Sequence, residues 1–92
     1  MKQTSELTWV RKRIKGKTAK TYREWVDTTG SYAIVWRSEA FGVKMTPEYH
    51  AFLIYGERRL FLGGRPKAFR KFETASAACE KHNVSGDYWR PA

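Results

Sequence analysis

Alternation of polar and apolar residues, the pattern of a half-buried β-strand, recurs along the first two thirds of the chain. It is weak in Leu7–Arg13, where the lysine and arginines would discourage edge-to-edge association and so favour an edge strand. It is clearer in Tyr22–Asp27 and Ser31–Ser38, which are joined by a short turn sequence that contains Gly30. The pattern therefore predicts an edge strand followed by a β-hairpin.

The most apolar run of the chain is Tyr49–Tyr55, which has a proline two residues before it and a glycine directly after it. Its length and its aromatic and β-branched residues favour a strand, and two apolar faces predict a central position in a sheet. Gly56-Glu57 then predicts a tight turn, with Arg58–Leu62 as the returning strand. The preceding Glu39–Glu48 contains a glycine and a proline, and we expect a connection there, with a short extended segment at Phe41–Met45.

A single helix is predicted near the carboxyl end of the chain. Small side chains and one histidine recur at helical spacing and would share one face: Ala75, Ala78, Cys79 and His82. Thr74 is expected to cap this helix, because its hydroxyl can accept a hydrogen bond from a backbone N–H of the first turn. A face of small side chains allows a helix to lie close to a sheet.

Strands followed by one helix predict an α+β fold, with an antiparallel sheet of four to five strands and one C-terminal helix packed on one face. A length of 92 residues predicts a single domain. Its expected parts are a basic strand and loop (7–21), the sheet (22–62), a basic loop (63–71), the helix (about 74–83) and an aromatic tail (87–92) that packs back.

The charge of the chain is strongly positive and unevenly distributed. Eighteen lysines and arginines stand against nine acidic residues, which gives a formal net charge of +9. Residues 1–23 contain eight bases and one acid, and residues 58–71 contain six bases and no acid. Two clusters of one sign that can meet in the fold are typical of a surface that binds a polyanion. The alternative is a basic face that only meets solvent.

Nucleic acid is the partner that this pattern favours, with DNA before RNA. We expect an uncovered sheet face with Trp25, Arg23 and Arg37 between two phosphate-binding loops. Such a face could lie in a groove of a duplex, or its aromatic residues could stack on unpaired bases. The candidate binding residues combine both basic clusters with basic and aromatic strand residues: Arg11, Lys12, Arg13, Lys15, Lys17, Lys20, Arg23, Trp25, Trp36, Arg37, Arg58, Arg59, Arg65, Lys67, Arg70 and Lys71.

The run from Tyr49 to His82 contains two strands, a Leu62-Gly63 step, Phe72-Glu73-Thr74 and an alanine-rich helix. It resembles the three-stranded-sheet-plus-helix DNA-binding domain of plant ethylene-response factors and the arm-binding domains of phage and transposon integrases. In that family the sheet enters the DNA major groove. The resemblance covers roughly a third of the chain, and Gly64–Lys71 is an insertion relative to the family's pattern. It implies DNA contacts by Trp36, Arg37, Arg58 and Arg59.

Residues with a capacity for catalysis or metal binding are few. Cys79 and His82 would share a helix face, but that face is predicted to lie in the core, where an inert, buried cysteine is expected. One cysteine and two histidines do not suggest a zinc site, and the glycines do not form a phosphate-binding loop, so no metal or cofactor is predicted. A small ribonuclease toxin is a third hypothesis, and its candidate residues would cluster around one hairpin: His50, Tyr55, Arg58 and Arg59.

The leading hypothesis is a non-enzymatic nucleic-acid-binding protein of phage, plasmid or mobile-element type, with duplex DNA as its ligand. The second is a protein-interaction inhibitor or anti-defence accessory protein, whose basic patch would meet an acidic protein surface. No apolar run is long enough to span a membrane, and the polar N-terminus does not lead into a signal-peptide core. We therefore expect no membrane partner and a cytoplasmic location in a bacterial or phage-infected cell, at the nucleoid if DNA is bound.

Overall fold

Five strands and one helix make up the described part of the chain. The computed structural model describes residues 7–13, 16, 20–40, 42–62 and 67–85. Each strand pairs antiparallel with the next one along the chain, in the order β1-β2-β3-β4-β5. The elements are β1 (Trp9–Lys12), β2 (Tyr22–Asp27), β3 (Tyr32–Ala40), β4 (Val43–Tyr55), β5 (Arg58–Phe61) and α1 (Phe72–Ser85). The predicted α+β fold, with a five-stranded antiparallel sheet and one C-terminal helix, is confirmed.

The carboxylate of Asp27 fixes the turn between β2 and β3. One oxygen accepts the backbone N–H of Ser31 at 2.8 Å and that of Tyr32 at 2.6 Å, and the other accepts the N–H of Thr29 at 3.0 Å. Gly30 adopts a φ of 77°, which a glycine tolerates without steric cost. Asp27 is 3% exposed, so these donors compensate for the burial of its carboxylate.

The hairpin of β3 and β4 is longer than the sequence predicted. The segment Glu39–Glu48 is not a connection, because Glu39 pairs with Lys44 and Ala40 pairs with Val43. Gly42, with a φ of 75°, forms the turn of this hairpin. Pro47 falls where the register shifts between Arg37 and Glu39, so its missing N–H interrupts no regular pair. Glycine and proline therefore mark a turn and a bulge within one long hairpin.

The helix covers one face of the sheet, and the core lies between them. The side chains of Ile34 on β3 and Cys79 on α1 are completely buried. The Trp9 indole N–H donates to the Ser76 hydroxyl at 3.0 Å and so ties β1 to the helix. The core cluster contains Tyr32, Ile34, Ala51, Leu62, Phe69, Ala75 and Cys79.

The helix begins at Phe72, so the prediction that Thr74 caps it is wrong. Thr74 lies in the first turn and is exposed. The ring centroid of Phe72 lies 5.0 Å from that of Trp25 and 6.0 Å from that of Trp9. Packing against these tryptophans extends the helix towards its N-terminus, an effect that local capping signals do not report. The predicted tail 87–92 lies outside the described residues. Within the described residues, no helix is long and apolar enough to cross a lipid bilayer.

The face of the sheet opposite the helix, which no described helix or strand covers and which we call the uncovered face, is concave. Arg59 on β5 forms an ion pair with Glu24 on β2, although β3 and β4 lie between these strands in the sheet. In a flat sheet their backbones would be three strand spacings, or ~14 Å, apart across the sheet. They would also be four residues, or ~13 Å, apart along it, because Arg59 pairs with Ile54 and Glu24 is level with His50, so the sheet must curl towards this face. The ion pair therefore links the two sides of a shallow trough.

Candidate nucleic-acid interface

Parts of the two basic segments, residues 11–13 and 20–23 of the first and 67–71 of the second, lie at one end of the sheet. Arg23 pairs with Trp36, and Trp36 pairs with Tyr49 in the next strand. Tyr49 is bridged on its other side by Phe69, with two backbone hydrogen bonds of 2.8 Å. This row of residues runs across the sheet, and it places Phe69, in the second basic segment, about three strand spacings, or ~14 Å, from Arg23 in the first.

Basic side chains surround this row on three parts of the chain. They lie at the end of β1, at and just before the start of β2, and around Phe69 in the segment that leads into α1. We call this group the basic end of the sheet: Arg11, Lys12, Arg13, Lys20, Arg23, Lys67, Arg70 and Lys71. All of them are exposed except Arg23, which is half-buried. Exposed cations on separate elements can contact phosphates without a large desolvation cost.

Nearby carboxylates only partly offset this charge. Glu24 is buried and already accepts hydrogen bonds from Arg59 and Tyr22. Glu48 is bound to His50, with its Oε1 2.8 Å from the imidazole Nε2. Glu73 is exposed in the first turn of α1, where it complements the helix dipole. The basic end therefore keeps a positive excess.

An aromatic side chain lies within the basic end. The Arg23 guanidinium carbon is 4.6 Å from the centroid of the Trp36 ring, a distance typical of cation–π stacking. Trp36 is half-buried on the same side of the sheet as the helix, beyond the cluster around Phe72. Lys67 is held in a similar way, with its ammonium nitrogen 5.3 Å from the ring centroid of Phe69. These contacts orient two of the cations.

The prediction that Trp25 lies on the uncovered face is wrong. Trp25 pairs with Arg11 on one side and Ile34 on the other, and its ring packs against Phe72 of the helix. Arg23, two residues earlier on the same strand, shares this helix side of the sheet. Alternation along β2 predicted correctly that these residues share a face, but it could not tell which face the helix covers.

The remaining candidates are divided between several places. Arg37 lies on the uncovered face, next to the basic end, because it pairs with Tyr22. Arg58 pairs with Tyr55 and is exposed at the opposite end of the sheet, about six residues or ~20 Å along β4 from Tyr49. Arg59 is held by Glu24. Lys15, Lys17 and Arg65 lie outside the described residues.

The trough on the uncovered face contains a cavity of about 190 Å³. Apolar side chains and two guanidinium groups line it together with a phenol and an imidazole: Tyr22, Val35, Arg37, His50, Phe52, Arg59 and Phe61. Sequence analysis missed Tyr22, Phe52 and Phe61 as site residues. Only the cross-strand register and the curvature of the sheet bring these side chains together.

A buried hydrogen-bond network forms one wall of this cavity. The Tyr22 hydroxyl donates to Glu24 Oε1 at 2.9 Å, and Arg59 donates to Glu24 Oε2. Hydrogen bonding from Arg59 holds the pKa of the Glu24 carboxyl below its ordinary value, although burial opposes this shift. Burial and the hydrogen bond to Glu24 raise the pKa of the Tyr22 hydroxyl. Glu24 therefore stays ionised and Tyr22 stays protonated at neutral pH.

The structure does not assemble the four residues proposed for ribonuclease activity. Tyr55 and Arg58 form one cross-strand pair, whereas their chain neighbours Ile54 and Arg59 form the next pair on the other face. The His50 Nε2 is bound to Glu48, and its Nδ1 is buried with no hydrogen-bond partner among the described residues. An imidazole with one nitrogen occupied and the other shielded is poorly placed to transfer a proton.

Cys79 belongs to the core, whereas the half-buried His82 is bound to Tyr32. Cys79 is completely buried, and burial raises the pKa of its thiol to about 12. The Nδ1 of His82 faces the hydroxyl of Tyr32 at 2.5 Å, and burial lowers the pKa of this imidazole. Over the described part of the chain, no group of three or more histidine, cysteine or acidic side chains could hold a metal ion.

Comparison with models of known protein families, with curated proteins and with solved structures found no match to this chain. The resemblance to the ethylene-response-factor and integrase domains therefore stays a prediction from short motifs.

Proposed function

We propose that this protein is a non-enzymatic nucleic-acid-binding domain whose basic end contacts phosphates, with duplex DNA as its first ligand. The observation that supports this most is the cross-sheet row of Arg23, Trp36, Tyr49 and Phe69. It unites two basic segments that are distant in sequence. Clustering cations of one sign costs stability through their mutual repulsion, and a polyanion offsets that cost.

The duplex would be contacted along its backbone by the exposed lysines and arginines of the basic end. A concave sheet face does not fit the floor of a groove, so the proposed contacts differ from those implied by the family resemblance. Trp36, with Arg23 stacked on it, lies where a base or a sugar next to those phosphates could pack. Phosphate contacts of this kind position a protein on nucleic acid without reading its sequence.

Two exposed lysines near the ends of one helix provide the test. Lys71 directly precedes α1 and belongs to the basic end, whereas Lys81 lies on α1 about ten residues or ~15 Å further along. Fluorescence anisotropy with a labelled blunt duplex, repeated at three or more salt concentrations, would measure both variants. Lys71→Ala should lower the slope of log affinity against log salt by roughly one unit, and Lys81→Ala should leave it unchanged.

Equal effects of the two substitutions would show that charge alone, and not the basic end, governs binding. No binding of the wild-type protein to duplex DNA, single-stranded DNA or RNA near physiological salt would contradict the proposal itself. The alternative partner of the basic end would then be an acidic protein surface. The next experiment would look for a stoichiometric complex with a protein.

A further inference from the structure

The cavity on the concave face combines an apolar floor with a cationic edge. Val35 is 6% exposed and forms part of the floor together with two phenylalanines. The rings of Phe52 and Phe61 lie 4.8 Å apart between centroids and are inclined by 34°. Arg37 and the Tyr22 hydroxyl stand at the edge that faces the basic end. Such a composition suits a ligand that has a flat ring and an attached anionic group.

Arg37 is the cation of this edge to which the described residues offer no ion pair. Among the described residues it makes no ion pair and no hydrogen bond through its side chain. It pairs across the sheet with Glu48, but that carboxylate is bound to His50. The other carboxylate nearby, Glu24, is occupied by Arg59 and Tyr22. A half-buried guanidinium beside aromatic rings therefore remains available for an anion with two acceptor oxygens.

We propose that this cavity binds one unpaired nucleotide, with its base against Phe52 and Phe61 and its phosphate on Arg37. The inference rests on the proposed function and names a preferred form of its ligand. Bases within a duplex are stacked on their neighbours and cannot enter such a pocket, whereas bases of a single strand can stack on aromatic side chains. The domain would accordingly grip duplex phosphates at its basic end and hold an unpaired nucleotide in the trough.

Size and position support one nucleotide as the occupant. A cavity of about 190 Å³ is below the ~300–1,000 Å³ of sites for larger ligands, and it suits one ring system. Arg37 pairs with Tyr22, which is the direct neighbour of Arg23 of the basic end. Arg23 points to the helix side and Tyr22 to the pocket side, where Lys12 of the basic end also lies because it pairs with Glu24. A strand whose phosphates follow the basic end would therefore pass around this end of the sheet to reach the pocket. DNA and RNA offer the same base and phosphate, so the chemistry of the pocket applies to both.

The test compares the effect of removing one phenylalanine ring from each face of the sheet. Phe61→Leu removes one of the two phenylalanine rings of the pocket and keeps an apolar side chain, and Phe72→Leu makes the same change on the helix side. Anisotropy titrations would use a labelled oligothymidylate, an oligouridylate of the same length and a blunt duplex. Phe61→Leu should weaken binding to the single strands by at least about fivefold and leave duplex binding nearly unchanged. Phe72→Leu should change the two kinds of ligand equally.

A second pair of variants keeps the test independent of the stability of Phe61→Leu. Arg37→Gln should weaken binding to the single strands several-fold more than binding to the duplex. Arg58→Gln, which removes the same charge at the opposite end of the sheet, should produce no such difference. Similar losses for single strands and duplex in Arg37→Gln, or no loss in either Phe61→Leu or Arg37→Gln, would overturn the pocket. Duplex binding would then still stand, whereas failure of the wild-type protein to bind any of the three probes would sink the proposed function instead.

Discussion

Glu24 shows how one buried charge shapes the uncovered face. Its side chain is 4% exposed, and its two oxygens accept hydrogen bonds from Tyr22 and Arg59 on strands at opposite sides of the trough. A carboxylate without such donors would be costly to bury. The curvature of the sheet brings Arg59 to Glu24 and so compensates for the burial of this carboxylate. The same curvature forms the cavity beside Glu24.

Arg59→Leu should destabilise the protein by about 1–3 kcal/mol at pH 7, because it leaves a buried carboxylate with one donor fewer. Arg59 holds the pKa of Glu24 below its ordinary value of 4.5, so the stability from this pair is present above that pH. It is lost as pH falls through the lowered pKa, and the cost of the substitution should therefore shrink in acid. Urea unfolding at pH 7 and near pH 3 measures both effects.

The neighbouring Arg58 provides the control for that substitution. It is exposed and lies on the other face of β5, so Arg58→Leu should change the free energy of unfolding by no more than ~0.5 kcal/mol. Equal costs for Arg58→Leu and Arg59→Leu would mean that the ion pair across the trough does not contribute to stability.

Cys79 should make the protein less stable in alkali. The pKa of its thiol is about 12 in the folded protein, against an ordinary value of 9.0. Above about pH 9 the unfolded chain loses this proton and the native protein keeps it, so stability falls by up to about 1.4 kcal/mol per pH unit. Cys79→Ala removes this contribution, although the smaller side chain lowers stability at pH 7.

Free energies of unfolding at pH 7 and pH 10 for both proteins check this expectation. The loss between the two pH values should be smaller in Cys79→Ala than in the wild-type protein, even though the raised pKa of Tyr32 adds to the loss in both. Equal losses, or rapid modification of the native protein by a thiol reagent, would contradict the assignment of Cys79 to the core.

The helix depends on small side chains where it meets the sheet. Ala75 is completely buried, whereas Ala77, two residues later, is exposed. Ala75→Leu should destabilise the protein by ~1–3 kcal/mol through overpacking, and Ala77→Leu should be nearly neutral. Both substitutions have the same effect on helix propensity, so the difference between them isolates packing. Thermal unfolding followed by circular dichroism measures it, and equal destabilisation would contradict the packing of α1.

Hydrophobic alternation was enough to predict most of the strands, because a sheet with one covered face requires it. It located β2, β3 and β5 closely, together with the apolar half of β4. It failed for Glu39–Glu48, where the bulge after Arg37 and the turn at Gly42 keep a hairpin going through residues that normally end strands. It also placed the start of α1 two residues late, because the packing of Phe72 on two tryptophans is a tertiary effect.

The candidate site depends on contacts between elements, and sequence could supply only part of it. The two basic segments are visible as runs of like charge, but their meeting depends on the pairing of Tyr49 with Phe69. The pocket could not be predicted, because it requires the register that places Tyr22 beside Arg37 and the curl that brings β5 towards β2. Trp25 was assigned to the wrong face for the same reason, since no local pattern records where a helix docks.

The proposal for the whole molecule is that two segments form one binding surface. This requires both segments to act on the same ligand at the same time. If they do, removing the cations of one segment should leave the contribution of the other intact, because contacts to separate phosphates add.

A salt titration of three cluster variants tests this most directly. The first variant replaces Arg11, Lys12 and Arg13 by alanine, the second replaces Lys67, Arg70 and Lys71, and the third combines them. Anisotropy with one blunt duplex should give a lower slope of log affinity against log salt for each cluster, by roughly one unit per lost phosphate contact. The decrease in the combined variant should equal the sum of the two separate decreases. A slope that responds to only one cluster, or to neither, would contradict a shared surface at the basic end of the sheet.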